Sequence, residues 1–133
     1  MKFTRSGFIL YVNEYKECIE FYQKILGLKI MFETQKLTCF LFEESYLMVE
    51  KQDEPEYMSL TGKELKTFTC LRMNVPNVKK RANKLRAMGV DVNYAEFDWG
   101  IVAKFFDPAG NLLSFKDDKT FEKQITEYNT QLK

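Results

Sequence analysis

The sequence predicts an α+β fold made of paired βαβββ modules that form a curved mixed sheet around a cleft. Three observations predict it. A strand, a helix, a glycine and a second strand follow one another twice along the chain, with the two glycines at Gly27 and Gly89. Two more strand-like segments follow each copy. The length of 133 residues suits one domain, spanning 1–133, with a core of its own.

The first module is expected at about residues 5–52. Its opening run GFILYV (7–12) is rich in strand formers, and Asn13 is a good helix N-cap. Apolar residues then recur every three or four positions, which predicts a helix that ends at Gly27. The residues of this helix face are Tyr15, Cys18, Ile19, Tyr22, Ile25 and Leu26. The later strands are expected at LKIMFE (28–33), LTCFLF (37–42) and YLMVEK (46–51).

The second module is expected at about residues 67–117 and repeats this order. A strand, TFTCLRMNV (67–75), precedes Asn77 as the helix cap and Gly89 as the helix end. The turn Asp-Pro-Ala-Gly (107–110) predicts a tight connection between the last two strands. The apolar face of this helix consists of Val78, Ala82, Leu85 and Met88. The remaining strands are expected at VDVNY (90–94), WGIVAKFF (99–106) and NLLSFK (111–116).

The segments outside the modules are predicted to be a linker and a terminal helix. The linker, about 53–66, is polar and contains Pro55 and Gly62. The terminal helix, about 118–132, carries Phe121, Ile125 and Tyr128 on one side.

Composition excludes several classes of function. Twenty Lys and Arg against 19 Asp and Glu leave no net basic footprint for nucleic acid or an anionic membrane. The cationic run on the second helix (Lys79, Lys80, Arg81, Lys84 and Arg86) is interpreted as a solvated helix face. The chain has no histidine, which excludes imidazole catalysis and every imidazole metal site.

The cysteines and the first residues indicate the compartment. Cys18, Cys39 and Cys70 are few and widely spaced, which favours free thiols in a reducing compartment over a disulfide framework. Residues 1–15 are too polar for a spanning helix and lack the cleavage site of a signal peptide. We therefore expect a soluble, cytoplasmic protein with no membrane partner.

Two segments carry a family resemblance. The run FYQKILGLKI (21–30), together with DWGIVAKFFDPAGNLLSF (98–115), resembles the glyoxalase/bleomycin-resistance/dioxygenase superfamily, also called the vicinal oxygen chelate fold. The Trp-Gly pair before the Asp-Pro-x-Gly-Asn turn is most similar to the bleomycin-resistance branch. The resemblance covers roughly residues 5–117 and implies paired βαβββ modules, in agreement with the internal duplication.

The resemblance also implies where a metal would bind. Enzymes of the family take metal ligands from the first and last strand of each module. In this chain the positions fall at Gly7, Met48 or Glu50, Cys70 and Ser114. One carboxylate and one thiol do not hold a divalent metal tightly, since such sites usually need three or four protein ligands. We therefore expect no metal and no cofactor.

Seven residues are candidates for ligand binding, and each has a structural alternative. Trp99 is either an aromatic wall of the cleft or a core or interface ring. Phe40 and Phe42 either form the floor of the cleft or pack in the core. Arg72 either holds an anionic or carbonyl group or forms a salt bridge. The remaining candidates are Glu50 (otherwise a solvated rim charge), Cys70 (otherwise a small buried thiol) and Ser114 (otherwise a small residue that leaves room).

The resemblance implies a metal-independent protein that binds an amphipathic or aromatic small molecule, as drug-sequestering resistance proteins do. Two alternatives remain: a family enzyme (lyase, isomerase or oxygenase) with an atypical or absent metal site, and a non-catalytic interaction module. The resemblance also favours a homodimer, because the family pairs its modules within or between chains.

Overall fold

The computed structural model describes residues 1–58 and 69–131. These fall into two compact units. Asp107–Gly110 belongs to the first unit, although it lies in the sequence of the second module. Three expected segments lie partly outside the described residues: the linker (59–66), the start of the next strand (67–68) and the end of the terminal helix (132).

The first unit contains four strands and two helices. Helix α1 (Tyr15–Glu20) continues as a π-helical turn, and α2 is a single short turn inside the expected linker. The elements are β1 (Gly7–Val12), α1 (Tyr15–Glu20), the π-turn (Phe21–Ile25), β2 (Ile30–Glu33), β3 (Leu37–Phe42), β4 (Ser45–Lys51) and α2 (Pro55–Met58).

The second unit contains four strands, helix α3 and the terminal helix α4. Its second strand begins at Asn93, three residues later than the sequence predicts. The elements are β5 (Cys70–Val75), α3 (Val78–Ala87), β6 (Asn93–Phe97), β7 (Gly100–Phe106), β8 (Leu112–Asp117) and α4 (Asp118–Gln131).

The two sheets have the same topology. The strand orders are β1-β4-β3-β2 and β5-β8-β7-β6, and in each sheet the first strand pairs in parallel with the last. The other pairs are antiparallel. The predicted α+β fold of repeated βαβββ modules is confirmed.

The helix ends follow the prediction at three of four positions. Asn77 caps α3, with its side chain accepting a hydrogen bond from the Lys80 N–H at 3.0 Å. Gly27 and Gly89 have φ of 70° and 85°, the left-handed conformation that glycine adopts without steric cost. Asn13 does not cap α1: Glu14 stands at that position, and the Asn13 amide instead donates to the Tyr57 carbonyl at 2.7 Å.

Each helix packs on one face of its own sheet. In the first unit the Tyr22 ring lies 6.0 Å from Phe40, and the Tyr15 and Thr38 hydroxyls are hydrogen-bonded at 2.7 Å. In the second unit α3 buries Val78, Ala82 and Leu85, as predicted. Met88, expected on the same stripe, is exposed because α3 has already ended at Ala87.

The expected apolar side of α4 is not buried. Phe121, Ile125 and Tyr128 are all exposed, and α4 has no buried residue within its described length. None of the helices in the described part of the chain is long and apolar enough to cross a membrane.

Candidate functional site

The strand register places the site candidates on particular faces of the two sheets. Residues that are paired between neighbouring strands point to the same face, and residues two apart on one strand share a face. In each unit one face of the sheet packs against a helix, α1 in the first unit and α3 in the second. We call the other face of each sheet the opposite face. The positions implied for metal ligands all lie on these opposite faces: Gly7, Met48 and Glu50 in the first sheet, and Cys70 and Ser114 in the second.

In the first unit an aromatic ring covers the position on β1. Gly7 is paired with Tyr46, and a Cβ added at Gly7 would collide with the Tyr46 ring. Gly7 has no side-chain atom that could coordinate a metal, and a larger side chain at this position would have to displace the ring. Met48 and Glu50 follow Tyr46 on the same face, and both are half-buried.

This close approach gives a first prediction. Gly7→Ala is expected to lower the free energy of unfolding by about 1 kcal/mol, the low end of overpacking costs, because the exposed Gly7 faces a half-buried Tyr46 ring that can shift. Urea denaturation measures the loss. Tyr46→Ala on the same background removes the colliding ring, so the double variant should lose less than the sum of the two single variants. Strict additivity would contradict the contact.

In the second unit four hydrogen-bonding side chains form a row across all strands. Arg72 on β5 is paired with Ser114 on β8, Ser114 with Lys104 on β7, and Lys104 with Asn93 on β6. We call these four residues the polar row. Arg72 and Lys104 are exposed, whereas Ser114 is 2% exposed. Among the described residues neither cation forms an ion pair.

Cys70 lies beside the polar row and contacts it. Its thiol donates a hydrogen bond to the Ser114 hydroxyl oxygen, with 3.4 Å between the two atoms. Cys70 itself is exposed, unlike Cys18 and Cys39, which are buried. The structure thus brings together three of the predicted ligand-binding residues: Arg72, Cys70 and Ser114.

Trp99 lies at another part of this unit and already has ring contacts. Its indole stacks on Phe97, with the ring centroids 5.0 Å apart and the planes 6° apart. The Lys116 ammonium lies over the same indole at 5.7 Å. Trp99 nevertheless remains 47% exposed, so part of the ring system is available for a further contact.

Lys116 is a fully buried cation with defined partners. Its Nζ donates to the Thr120 hydroxyl at 2.7 Å and lies 3.8 Å from an Asp117 carboxylate oxygen. It is packed directly against Gly100, where a Cβ would collide with the lysine side chain. Both residues of the Trp-Gly pair in the family resemblance thus contact this lysine. Gly100 leaves space for the Lys116 side chain, and the Trp99 ring lies against its ammonium group.

Asp117 completes this cluster. Burial by itself would raise the pKa of Asp117, but hydrogen bonds to its carboxylate, together with the nearby Lys116 ammonium, outweigh burial and lower the pKa to about 2. The donors are the Thr120 hydroxyl at 2.6 Å, the Ile101 N–H at 2.8 Å and the Thr120 N–H at 2.8 Å. The cluster thus joins β7, β8 and the first turn of α4.

Phe40 and Phe42 lie on the other side of the first sheet. They alternate with the opposite-face residues of β3, on the side where α1 packs. Phe40 is fully buried and Phe42 is half-buried. This placement agrees with core packing, the alternative considered for both residues.

The Asp-Pro-Ala-Gly turn (107–110) contributes a buried carboxylate, Asp107, to the first unit. Asp107 accepts hydrogen bonds from the Tyr22 hydroxyl and the Ala109 N–H, at 2.7 and 2.9 Å. Burial and the Asp107 charge raise the pKa of both Tyr22 and Cys18 well above their ordinary values. Both groups stay protonated at physiological pH, so the Cys18 thiol is not a nucleophile there.

The side chains at the implied positions do not fit a divalent metal. Gly7 offers no donor, the Cys70 thiol is hydrogen-bonded to Ser114, and Glu50 is the one carboxylate among these positions. In residues 1–58 and 69–131 no group of three or more His, Cys, Asp or Glu side chains is arranged to hold a metal ion. Tight zinc sites use at least three protein ligands.

Comparison with known proteins identifies the family. Residues 6–115 match the sequence model of the Glyoxalase/Bleomycin resistance protein/Dioxygenase superfamily. The chain belongs to this superfamily. It is also 29% identical over 115 residues to the uncharacterized protein YraH of Bacillus subtilis (strain 168), a match that covers 78% of this chain and 90% of that protein.

Solved structures with the same fold as this chain include both enzymes and binding proteins. FosX, a fosfomycin resistance protein from Listeria monocytogenes complexed with Mn(II) and sulfate, aligns with a TM-score of 0.74 and 18% identity over 96% of this chain and 99% of that chain. TnmS3, an antibiotic-binding protein from Streptomyces sp. CB03234, has a TM-score of 0.70 and 17% identity over 88% and 98%. Lactoylglutathione lyase from Agrobacterium tumefaciens has a TM-score of 0.70 and 15% identity over 89% and 96%. At these identities the likeness shows the fold alone.

The sequence reasoning missed two residues of the second unit. Lys104 belongs to the polar row, and Lys116 is the buried partner of Trp99. The alternation of β8 places Lys116 on the same face as Ser114, a signal that was present in the sequence. Lys104 joins the row only through the register of β7 against β8, which the sequence does not specify.

Proposed function

We propose that this chain is a metal-independent small-molecule binding protein, like the antibiotic-binding members of its superfamily. The observation that carries the proposal is the donor set at the implied metal positions, where a glycine, a methionine or glutamate, a thiol and a serine replace a chelating set. The fold is kept, but the residues that would activate a metal-bound substrate are not.

The chemistry of the two opposite faces supports binding rather than catalysis. The buried thiols are those of Cys18 and Cys39, and the pKa of each is raised by burial. The chain has no histidine to activate the exposed thiol of Cys70. What remains is hydrogen bonding from Arg72 and Ser114, with aromatic contact from Trp99, and these recognise a ligand without transforming it.

The proposal includes the ligand class and the assembly. The ligand is an amphipathic or aromatic small molecule, and the residues proposed to contact it in the second unit are Trp99, Arg72, Cys70 and Ser114. The protein acts as a homodimer in a reducing compartment. Phe8, Ile9 and Tyr11 on the edge strand β1 are exposed, which is the kind of apolar surface that a second copy covers.

Fluorescence titration tests the binding function directly, because Trp99 is the one tryptophan of the chain. A panel of aromatic antibiotics is expected to contain members that quench or shift its emission. Trp99→Leu should weaken binding of such a ligand about 2- to 10-fold in calorimetry, in line with stacking of about 0.5–1.5 kcal/mol per ring pair. Tyr128→Leu, an exposed aromatic residue on α4, is the matched control and should change affinity less than about twofold.

Two results would overturn the proposal. The first is the absence of any response, in fluorescence and in calorimetry, across the whole panel. The second is stoichiometric nickel, zinc, manganese or iron in protein purified without chelators, which would favour an enzyme of the superfamily instead. Light scattering tests the homodimer separately, since a monomer at micromolar concentration contradicts it.

A further inference from the structure

The polar row concentrates positive charge on one face of the second sheet. We infer that it is an oxyanion-binding subsite, and that the ligand carries a phosphonate, phosphate, sulfonate or carboxylate group joined to an apolar body. This inference rests on the proposed small-molecule-binding function, and it assigns the charge of the ligand, which that proposal leaves open. Lys104 and Asn93 join Arg72 and Ser114 as binding residues.

The register places the two cations where both side chains can reach one anion. Arg72 and Lys104 flank Ser114 on the two neighbouring strands. Neighbouring strands are about 4.8 Å apart, so the two cationic residues start about 10 Å apart across the sheet. An arginine and a lysine side chain extended from these positions reach a single anion above Ser114. Guanidinium groups bind such oxyanions through two parallel hydrogen bonds.

Neither cation has a carboxylate beside it on this face of the described sheet. The adjacent rows of this face, within the described part of the sheet, contain no carboxylate. The row on one side consists of Cys70, Leu112 and Phe106, and the row on the other side consists of Asn74, Lys116, Val102 and Ala95. The salt bridge considered for Arg72 is absent from the described residues. Both cations are exposed, so an anion that binds between them is attracted by two positive charges.

Ser114 also supports the subsite. It is buried and lies between the two cations in the strand register, and its hydroxyl oxygen already accepts a hydrogen bond from the Cys70 thiol. The hydroxyl hydrogen has no acceptor among the described residues, so it remains available as a donor. An anion is expected to contact Arg72 and Lys104 first and then to accept from Ser114.

A cavity and an apolar side chain explain why the anion should carry an apolar body. A cavity of about 540 Å³ opens at the Asn93 end of the polar row, and its lining residues include Lys104, Phe106, Val90, Arg86 and the acidic residue Asp91. Phe106 is 60% exposed and lies on the same face as Lys104, two positions further along β7. A ring or short alkyl chain next to the anion would cover Phe106.

Calorimetry with a charge-matched pair of probes tests the inference. Phenylphosphonate is titrated against its neutral diethyl ester, with inorganic phosphate as the anion without an apolar body. The wild-type protein is expected to bind phenylphosphonate at least 10-fold more tightly than the ester. Arg72→Met and Lys104→Met should each weaken this binding about 10- to 100-fold, because each removes a charge-assisted hydrogen bond to the anion. Raising the salt concentration should weaken it further.

Lys79→Met is the matched control, because it removes one exposed cation from α3. It should change affinity less than twofold. Circular dichroism shows whether each variant keeps the fold, and Arg72→Lys keeps the charge but loses the paired hydrogen bonds, so it should fall between wild type and Arg72→Met.

The outcomes separate the inference from the function on which it rests. Equal binding of the ester and the phosphonate, or unchanged affinity in both folded methionine variants, overturns the anion subsite while small-molecule binding stands. Binding of neutral aromatic ligands alone likewise overturns the subsite and leaves the binding function intact. Absence of binding by phenylphosphonate, its diethyl ester, inorganic phosphate and every member of the antibiotic panel overturns both the subsite and the binding function.

Discussion

Replacing Phe40 by alanine is expected to lower the free energy of unfolding by about 4 kcal/mol. The Phe40 ring is fully buried, lies 6.0 Å from the Tyr22 ring and sits between the first sheet and its helix. Truncation loses the transfer free energy of the ring and leaves a cavity that the sheet cannot close. Urea denaturation followed by circular dichroism measures the change.

Leu41 provides a matched control for this substitution. It is the next residue on β3, points to the opposite face of the sheet and is 46% exposed. Leu41→Ala is expected to cost less than about 1 kcal/mol. Equal losses in the two variants would contradict the assignment of Phe40 to the core.

A second measurement on Phe40 separates packing from binding. Phe40→Leu keeps most of the buried apolar volume, so the fold should survive with a smaller loss of stability than in Phe40→Ala. If Phe40 belongs to the core alone, Phe40→Leu should keep ligand affinity within about twofold. A large loss of affinity in a stable Phe40→Leu protein would assign Phe40 to the binding site instead.

The second large effect concerns acid stability. A folded-state pKa of about 2 for Asp117, against an ordinary value of 3.8, corresponds to about 2 kcal/mol of stabilisation at neutral pH. Because the pKa is lowered on folding, the unfolded chain binds this proton more readily. The stabilisation is therefore complete above about pH 4, declines as the pH falls, and is lost below about pH 2.

Asp117→Asn removes this pH dependence. At pH 7 it is expected to lower the free energy of unfolding by about 2 kcal/mol, because the amide lacks the charge that Lys116 and Thr120 stabilise. The difference from wild type should shrink between pH 4 and pH 2 in denaturation curves measured across that range. Asp53→Asn, an exposed aspartate in the described part of the chain, is the control and should give a curve parallel to wild type. A parallel curve for Asp117→Asn would contradict the role of the carboxylate.

The sequence predicted most of the fold because the modules are encoded locally. The helix of the second unit carries its own start and stop in Asn77 and Gly89, and both are confirmed. Asn13 was wrong as the cap of α1, because the helix begins at Tyr15 and Glu14 therefore occupies the cap position. The residue at which a helix begins is less well specified by sequence than the existence of the helix.

The proposed binding residues were predictable only in part. Strand alternation puts Cys70 and Arg72 on one face of β5, but only the pairing of β5 with β8 adds Ser114 to that face. Alternation does not say which face of β3 meets the helix, so Phe40 and Phe42 had two open interpretations. The membership of Lys104 in the polar row required the pairing of β7 with β8, which depends on the turn between them and on packing.

By itself the sequence determined the duplicated α+β architecture, through its periodicity, and the superfamily, through its motifs at 21–30 and 98–115. The tertiary structure alone decided which side chains share a face and which of them are already satisfied. It gave Lys116 its partners Thr120 and Asp117 and left Arg72 and Lys104 without ion pairs among the described residues. The reason is physical: pairing between strands brings together residues far apart in sequence, and the cost of an unpaired charge appears only once that pairing is known.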